Sequence, residues 1–166
     1  MYKRQKKNIS FHYDLGNSFY EKWLDESMTY SSAMFKNPED NLLKGQINKY
    51  ENLANITGVK ENDKILEIGC GWGGFSSFLA KKYSANVTAI TISKKQYEKA
   101  KQKIYDDKLT DKVDVKLLDY RNINGKYDKI VSIEMFEAVG EKYWSKYFDV
   151  LKLSLIHISE PTRLQQ

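Results

Sequence analysis

The segment 64–75 constrains the fold of this chain most strongly, because it joins an apolar strand pattern to a glycine-rich turn. Ile65, Leu66 and Ile68 are typical of a strand that is buried on both faces. Glycines follow at positions 69, 71, 73 and 74, and a helical pattern begins at Phe75. A strand, a glycine-rich turn and a helix N-terminus in this order are typical of a site for a nucleotide-type cofactor.

Two positions distinguish this pattern from a dinucleotide site. Glu67 lies two residues before the first glycine, where its carboxylate would repel a pyrophosphate but would suit a cofactor with a cationic amino-acid end. A dinucleotide site also has an acid about 20 residues further on, which binds the ribose hydroxyls. That region holds Ala89, Ile90 and Thr91 instead. The pattern therefore favours S-adenosylmethionine over NAD.

Strand and helix patterns alternate from residue 64 onward. Strands are predicted over 64–69, 86–91, 113–118 and 127–133, and helices over 74–83, 94–106 and 141–152. This alternation predicts an α/β fold with a parallel sheet and helices on its faces. Residues 1–58 carry two further helical patterns, over 15–24 and 42–54, separated by a hydroxyl-rich loop over 28–35, and the second helix is expected to end near Gly58. We expect this N-terminal helical segment to form a cap next to the sheet.

The composition is that of a globular domain, with 41% hydrophobic and 30% charged residues. No apolar run approaches the ~20 residues of a membrane span, and no signal-peptide pattern opens the chain. One cysteine and two histidines make a disulfide framework or a metal site unexpected. A cytoplasmic protein is the simplest interpretation.

The net charge of +5 includes four basic residues near the N-terminus. They are Lys3, Arg4, Lys6 and Lys7. Such a cluster is either a solvated terminus or a contact to an anionic surface. Because no nucleic-acid-binding motif accompanies it, no nucleic-acid partner is expected, and a membrane surface is the favoured anionic partner.

The segment 153–166 breaks the pattern that precedes it. Its sequence resembles the translation of a widely used transposon sequencing adapter, which predicts a non-native tail. The natural chain is then expected to be truncated near Lys152. A frameshift and a genuine amphipathic tail are the alternatives.

Six short motifs occur in order along residues 8–152. They are His12-Tyr-Asp-Leu-Gly-Asn17, Met28-Thr-Tyr-Ser-Ser-Ala33, Leu66-Glu-Ile-Gly-Cys-Gly-Trp-Gly73, Thr91-Ile-Ser-x-x-Gln96, Asp119-Tyr-Arg121 and Ser132-Ile-Glu-Met-Phe-Glu-Ala-Val-Gly140. Together they resemble the cyclopropane-fatty-acyl-phospholipid synthase and mycolic acid methyltransferase family. The resemblance implies a class I methyltransferase with a Rossmann-like parallel sheet, incomplete here because only the first four strands are present. The cofactor-binding domain would span residues 59–152.

The resemblance implies a reaction and a membrane-bound substrate. A methyl group would pass from S-adenosylmethionine to the cis double bond of an unsaturated phospholipid acyl chain, with closure of a cyclopropane ring. The protein would associate peripherally with the inner membrane surface, and the truncated chain would be inactive by itself.

By this resemblance, the cofactor-binding residues come from four parts of the chain. They are Tyr30 and Ser31; Glu67, Gly69, Cys70, Gly71 and Gly73; Thr91, Ser93 and Gln96; and Tyr120 and Arg121. Thr91, Ser93 and Gln96 would hold the ribose, because hydroxyl and amide groups satisfy its hydroxyls without added charge. Tyr120 and Arg121 would lie beside the adenine. A strand end and a helix cap would equally explain Thr91 and Ser93.

The resemblance further implies a bound bicarbonate ion as the base. Glu137 matches the glutamate that holds this ion, and Ser32 and Ile133 match neighbours that contribute backbone contacts. An acid near a helix N-terminus is the alternative explanation for Glu137.

Two positions depart from well-described synthases of this family. Ser32 stands where those often have Cys, and Ala138 where they have His. Lipid methylation without ring closure is therefore an alternative. A small-molecule N-methyltransferase and a non-catalytic cofactor-binding or membrane-associated module are two more.

Overall fold

The computed structural model describes residues 17–156, which form a four-stranded sheet with helices on both faces. In chain order the helices and strands are α1 (Asn17–Tyr20), α2 (Leu42–Thr57), β1 (Lys64–Ile68), α3 (Gly74–Tyr83), β2 (Asn86–Thr91), α4 (Lys94–Asp106), β3 (Val113–Leu117), β4 (Lys129–Ser132) and α5 (Trp144–Ser154). The strand order is β3-β2-β1-β4, and all neighbouring pairs are parallel. The predicted α/β fold with a parallel sheet is confirmed.

The central strand β1 has a fully buried core residue on each of its faces. Ile65 packs in the layer that contains Phe75 and Leu79 of α3, whereas Leu66 packs with Tyr147 of α5 on the other side. Successive strand residues point to opposite faces, so an apolar run on β1 faces two helical layers. This burial explains why the run at 64–68 is the strongest strand signal in the sequence.

The caps and bounds of α2, α3 and α4 agree with the sequence pattern. Gly58 ends α2 in the left-handed conformation, with φ of 61°, which glycine adopts at little cost. The hydroxyl of Ser93 accepts a hydrogen bond of 3.3 Å from the backbone N–H of Gln96 and caps α4. α3 spans the predicted 74–83, and β2 spans the predicted 86–91.

Strand β4 is shorter than the predicted 127–133. The backbone N–H of Tyr127 donates to Ser154 O at 2.9 Å, and Tyr127 pairs with Leu155 in an isolated bridge rather than with β1. At the other end, Glu134 has φ of 50°, which is incompatible with a strand. The ladder to β1 is therefore limited to residues 129–132.

The prediction of a helix over 15–24 is wrong in its extent, because α1 ends at Tyr20 and turns follow. The carboxylate of Asp25 accepts the N–H of Ser27 at 2.9 Å, a local bond that competes with helix continuation. Tyr20 is buried against Trp72, with ring centroids 5.0 Å apart. The basic cluster near the N-terminus and most of the first motif lie outside the described residues.

The last helix begins as a short 3₁₀ turn over Glu141–Tyr143 and continues as α5 to Ser154. Ser154 is buried, and the N–H of Ile156 donates to Tyr127 O at 2.9 Å. Residues 154–156 are thus paired with Tyr127 through the backbone, although Leu153 is 71% exposed, and 157–166 lie outside the described residues. The non-native origin of this tail stays a prediction, as do the domain boundaries. Among residues 17–156, no helix is both long and apolar enough to cross a bilayer.

Two leucines in helices test this packing, because Leu79 is fully buried and Leu42 is 36% exposed. We expect Leu79→Ala to lower the free energy of unfolding by about 2–5 kcal/mol, because it leaves a cavity in the core. Leu42→Ala should cost no more than about 1 kcal/mol, because little apolar area returns to water. Urea unfolding followed by tryptophan fluorescence measures both; equal losses would contradict the assigned core.

Candidate active site

A cavity of about 440 Å³ opens at the carboxyl ends of the four strands. Its walls combine the loops after these strands with part of the N-terminal segment, residues 28–31. The chain proceeds from β1 to β3 in one direction and then returns to place β4 on the other side of β1. Such a switch in strand order is where open α/β sheets bind their ligands.

The turn between β1 and α3 needs glycine for two different reasons. Gly71 has φ of 55°, and a Cβ built on it meets nothing within 4 Å because the position faces the cavity. A Cβ on Gly74 would lie 2.7 Å from Tyr50 Oη and 2.9 Å from Ser27 O. The first glycine leaves room for a ligand, and the second lets α2 and the N-terminal segment approach the turn closely.

Glu67 projects from β1 into the cavity wall and is 3% exposed. Its carboxylate accepts a hydrogen bond from the hydroxyl of Ser76 on α3. Burial raises the pKa of Glu67 to about 7, although the hydrogen bonds from Ser76 oppose this change. Within residues 17–156 no cationic side chain forms an ion pair with Glu67. A cationic ligand group at this place would therefore be well compensated.

The end of β2 brings Thr91 and Gln96 together at the cavity wall. The hydroxyl of Thr91 donates to Gln96 Oε1 at 2.9 Å and also accepts the N–H of Ser93 at 3.2 Å. Thr91 and Gln96 line the cavity, whereas Ser93 lies behind them as the helix cap. Two of the three residues predicted to hold the ribose therefore face the cavity, and Ser93 fixes the helix that carries Gln96.

The loop after β3 contributes Asp119, Tyr120 and Arg121 to the wall. The guanidinium of Arg121 donates to both carboxylate oxygens of Asp119, with 2.8 Å from Nε to Oδ1. It also lies over the ring of Tyr120, 5.9 Å from its centroid. Asp119 was not predicted as a site residue, although its position in the loop that follows a predicted strand was the available signal.

Helix α2 holds the N-terminal loop against the cavity. Lys49 Nζ donates to Ser31 Oγ at 2.5 Å and to Ser32 O at 2.8 Å, and Gln46 Nε2 donates to Ser31 O at 2.8 Å. Burial lowers the pKa of Lys49 to about 8, while the charges of Glu134 and Asp25 act in the opposite direction. These hydrogen bonds place Ser31 in the wall.

The three residues predicted as catalytic are not assembled around one point. Ile133 lines the cavity, but Glu137 is exposed and lies outside the cavity wall, in the 3₁₀ turn Phe136–Ala138. The N–H and the hydroxyl of Ser32 both donate to Glu134 Oε1, at 2.9 and 2.7 Å. Glu134 lines the cavity and was missed by sequence reasoning, although it lies inside the sixth motif.

Most of the predicted cofactor-binding residues line this cavity. They are Tyr30, Ser31, Glu67, Gly69, Cys70, Gly71, Thr91, Gln96, Tyr120 and Arg121. Gly73 caps the N-terminus of α3 instead, where its position lies close to Ala100. Burial raises the pKa of the Cys70 thiol, which makes it a poor nucleophile. The roles of these residues as ligands stay predictions.

The sheet order and the cavity at its switch point define a Rossmann-like domain of the methyltransferase type. The chain belongs to the mycolic acid cyclopropane synthetase family, whose family model matches residues 1–157. The resemblance inferred from the six motifs is thereby confirmed.

Relatives in sequence and structure are longer than this chain. It is 43% identical over 141 residues to a probable fatty acid methyltransferase of Pseudomonas putida, covering 84% of this chain and 36% of that protein. It is 38% identical over 144 residues to the cyclopropane-fatty-acyl-phospholipid synthase of Escherichia coli K12. This match covers 87% of this chain and 36% of that protein. A crystal structure of mycolic acid cyclopropane synthase CmaA1 complexed with SAH and CTAB superposes with a TM-score of 0.87 at 30% identity. That match covers 90% of this chain and 53% of the crystallised one.

The buried carboxyl of Glu67 predicts a pH dependence of stability. Its pKa rises from 4.5 to about 7 on folding, so the folded state binds the proton more tightly. The associated stabilisation is complete below about pH 4.5 and is lost as the pH rises to about 7, a change of about 3 kcal/mol. We expect Glu67→Gln to flatten the dependence of the urea midpoint between pH 5 and 8.

Glu51→Gln is the control for this measurement. Glu51 is partly exposed, and the hydrogen bond from Lys82 lowers its pKa, so it cannot produce a loss of stability with rising pH. A Glu51→Gln chain should keep the slope between pH 5 and 8. An unchanged slope in Glu67→Gln would show that another group is responsible.

Proposed function

We propose that this protein is an S-adenosylmethionine-dependent methyltransferase that modifies unsaturated acyl chains of lipids. The observation that carries the proposal is the cavity at the switch point, which is lined by Glu67 of β1, by Thr91 at the end of β2 and by Gln96 at the start of α4. Family membership and the superposition on a protein named as a complex with SAH support it. Because the chain spans little more than a third of its curated relatives, activity and substrate are proposed for the protein that carries this segment at full length.

The residues of the cavity fit this cofactor in three respects. Glu67 offers a buried carboxylate to the cationic amino-acid end. Thr91 and Gln96 offer hydroxyl and amide groups to the ribose, and Tyr120 offers a ring face beside the adenine. Gly71 leaves open space where any other residue would project a Cβ. When bound, S-adenosylmethionine supplies an electrophilic methyl group on its sulfonium.

The substrate side of the cavity is apolar and aromatic, with Trp72, Phe75, Ile133, Val139 and Tyr143 in the wall. Such a surface binds an acyl chain and excludes water. It also suits the positive charge that develops on an alkene carbon when the other carbon takes the methyl group, because ring faces attract cations. This supports an unsaturated chain as the methyl acceptor.

Ring closure and simple methylation remain two products of the same proposal. We favour cyclopropane formation on phospholipid chains, as the family resemblance implies. Lipid methylation without ring closure is the second candidate, supported by Ser32 and Ala138 and by the 43% identical relative, a probable fatty acid methyltransferase. Both start with methyl transfer to the double bond and differ in where the proton is lost.

Bicarbonate fits the site poorly. The N–H and hydroxyl of Ser32 already donate to Glu134, and Glu137 is exposed outside the cavity wall. An ion at this place would have to compete with a carboxylate for the same donors. The bicarbonate site formed by Glu137, Ser32 and Ile133 stays a prediction from the resemblance, and no step is derived through it.

Contact with a membrane surface is part of the proposal. Phe19, Trp23 and Tyr30 form a cluster of rings with centroids 5.8 to 6.2 Å apart, and each is more than 40% exposed. Tyr30 also lines the cavity. Exposed aromatic side chains of this kind favour the interfacial region of a bilayer, so the cluster would bring the cavity close to the acyl chains at a peripheral, anionic membrane surface.

A pair of glycines tests the cofactor site. In Gly71→Ala and Gly58→Ala the new Cβ meets nothing within 4 Å, at φ of 55° and 61°, so both should lose about 1–2 kcal/mol of stability through backbone strain. Only Gly71 lines the cavity. We expect Gly71→Ala to raise the Kd for S-adenosylmethionine roughly tenfold or more, equal to about 1.4 kcal/mol, and Gly58→Ala to leave it unchanged. Calorimetry measures the Kd for S-adenosylmethionine in both variants. Equal changes of this Kd would contradict the cofactor's proposed position.

A transfer assay with the full-length protein tests the reaction. Methyl-labelled S-adenosylmethionine is incubated with anionic phospholipid vesicles whose acyl chains carry one cis double bond, and with matched saturated vesicles. We expect label in the unsaturated lipid alone, because only a double bond offers electrons to the methyl group. Mass spectrometry of the released chains then separates a cyclopropane from a methyl branch. Label in an added amine, with none in lipid, would support N-methylation and contradict the proposal.

A further inference from the structure

Three carboxylates line the cavity among the described residues: Glu67, Asp119 and Glu134. Glu67 is buried in the sheet and accepts the hydroxyl of Ser76. Both oxygens of Asp119 accept hydrogen bonds from Arg121. Glu134 differs from the other two because it is exposed to solvent while its residue also forms part of the cavity wall. A base that must release its proton to water needs access of this kind.

The backbone of Glu134 is held in an unfavourable conformation. Its φ of 50° lies in the left-handed region, which residues with a Cβ adopt at an energetic cost. Glycine would avoid this cost, yet a glutamate occupies the position. Strained residues of this kind persist where the surrounding structure holds them, and they concentrate at functional sites.

Ser32 fixes one half of the Glu134 carboxylate. Its N–H and its hydroxyl both donate to Oε1, at 2.9 and 2.7 Å, across 102 positions of sequence. Oε2 takes no hydrogen bond from any residue that the structure describes. Lys49 holds Ser32 in turn, by donating to its backbone oxygen at 2.8 Å. The carboxylate is therefore oriented by one oxygen and can accept a proton on the other.

We propose that Glu134 is the base of this cavity and accepts the proton that the methylated substrate loses; this rests on the proposed function. One alkene carbon forms a bond to the transferred methyl group as the bond from that methyl to sulfur breaks, which leaves a cation on the other carbon. Loss of a proton from the new methyl group then supplies the electron pair that closes the ring, and Glu134 Oε2 takes that proton. Loss of a proton from a neighbouring chain carbon would give a methylated alkene instead. The protonated carboxyl returns its proton to solvent.

Other described groups are less suited to this role. Glu137 is exposed outside the cavity wall, in the 3₁₀ turn Phe136–Ala138. The Cys70 thiol lines the cavity, but burial disfavours its charged form. Glu134 thus accepts the hydrogen bonds of Ser32, a residue that the family resemblance assigns as a contact of bicarbonate.

Matched substitutions in the full-length protein test the proposal. Glu134→Gln keeps an oxygen acceptor for Ser32 and removes the basic oxygen, and Glu141→Gln makes the same change at an exposed glutamate outside the cavity wall. We expect Glu134→Gln to lower kcat for lipid methylation by about 10²- to 10⁴-fold with an unchanged Kd for S-adenosylmethionine. Glu141→Gln should leave both values unchanged. Glu137→Gln tests the alternative base site, and a loss of kcat in Glu137→Gln with full kcat in Glu134→Gln would overturn the proposal.

Chemical rescue separates a base from a structural clamp. Glu134→Gly relieves the backbone strain and removes the carboxylate, so added formate or bicarbonate should restore part of kcat in this variant and leave the wild type unaffected. No rescue, together with a weakened Kd for the cofactor in both Glu134 variants, would assign Glu134 a structural role and overturn the proposal. A wild type that transfers no methyl group to lipid would overturn the proposed function and this inference together. An active wild type with an equally active Glu134→Gln would overturn the inference alone.

Discussion

The turn that follows the central strand is the constraint on which the rest of this structure depends. It must leave β1, reverse into α3 and keep its backbone open to the cavity within six residues, 69–74. Gly71 adopts the left-handed conformation and leaves open space beside the turn. Gly74 has no Cβ, so Tyr50 of α2 can pack closely against it. One short segment thereby sets the direction of α3, the floor of the cavity and the place where the N-terminal segment docks.

The buried carboxylate of Glu67 is the electrostatic counterpart of that turn. Placing it in the sheet raises its pKa to about 7, because burial disfavours the charged form. A hydrogen bond from Ser76 compensates only part of the lost hydration. The folded domain bears the cost of burying the Glu67 carboxylate. A cationic ligand beside it would stabilise its charged form. The protonation of this one side chain therefore couples stability to pH.

The N-terminal segment completes the site by contacts that are distant in sequence. Lys49 and Gln46 of α2 hold the loop that contains Ser31 and Ser32. That loop reaches across the cavity to Glu134, which lies beyond β4. The part of the cavity wall next to Glu134 therefore depends on two segments that the motif pattern alone treats as separate. This explains why a site can be recognised from motifs while its hydrogen bonds cannot.

The sequence by itself determined the α/β class, the alternation of strands and helices, the glycine turn and the family, because apolar periodicity, glycine and short motifs are local signals. Through the family resemblance of its motifs it also predicted most of the residues that line the cavity. Only the tertiary structure decided that α1 stops at Tyr20, that Ser93 lies behind the wall as a cap, and that Ser32 meets Glu134 while Glu137 stays exposed. These outcomes depend on pairings between segments up to 102 positions apart. A local sequence pattern does not determine which side chains form such contacts.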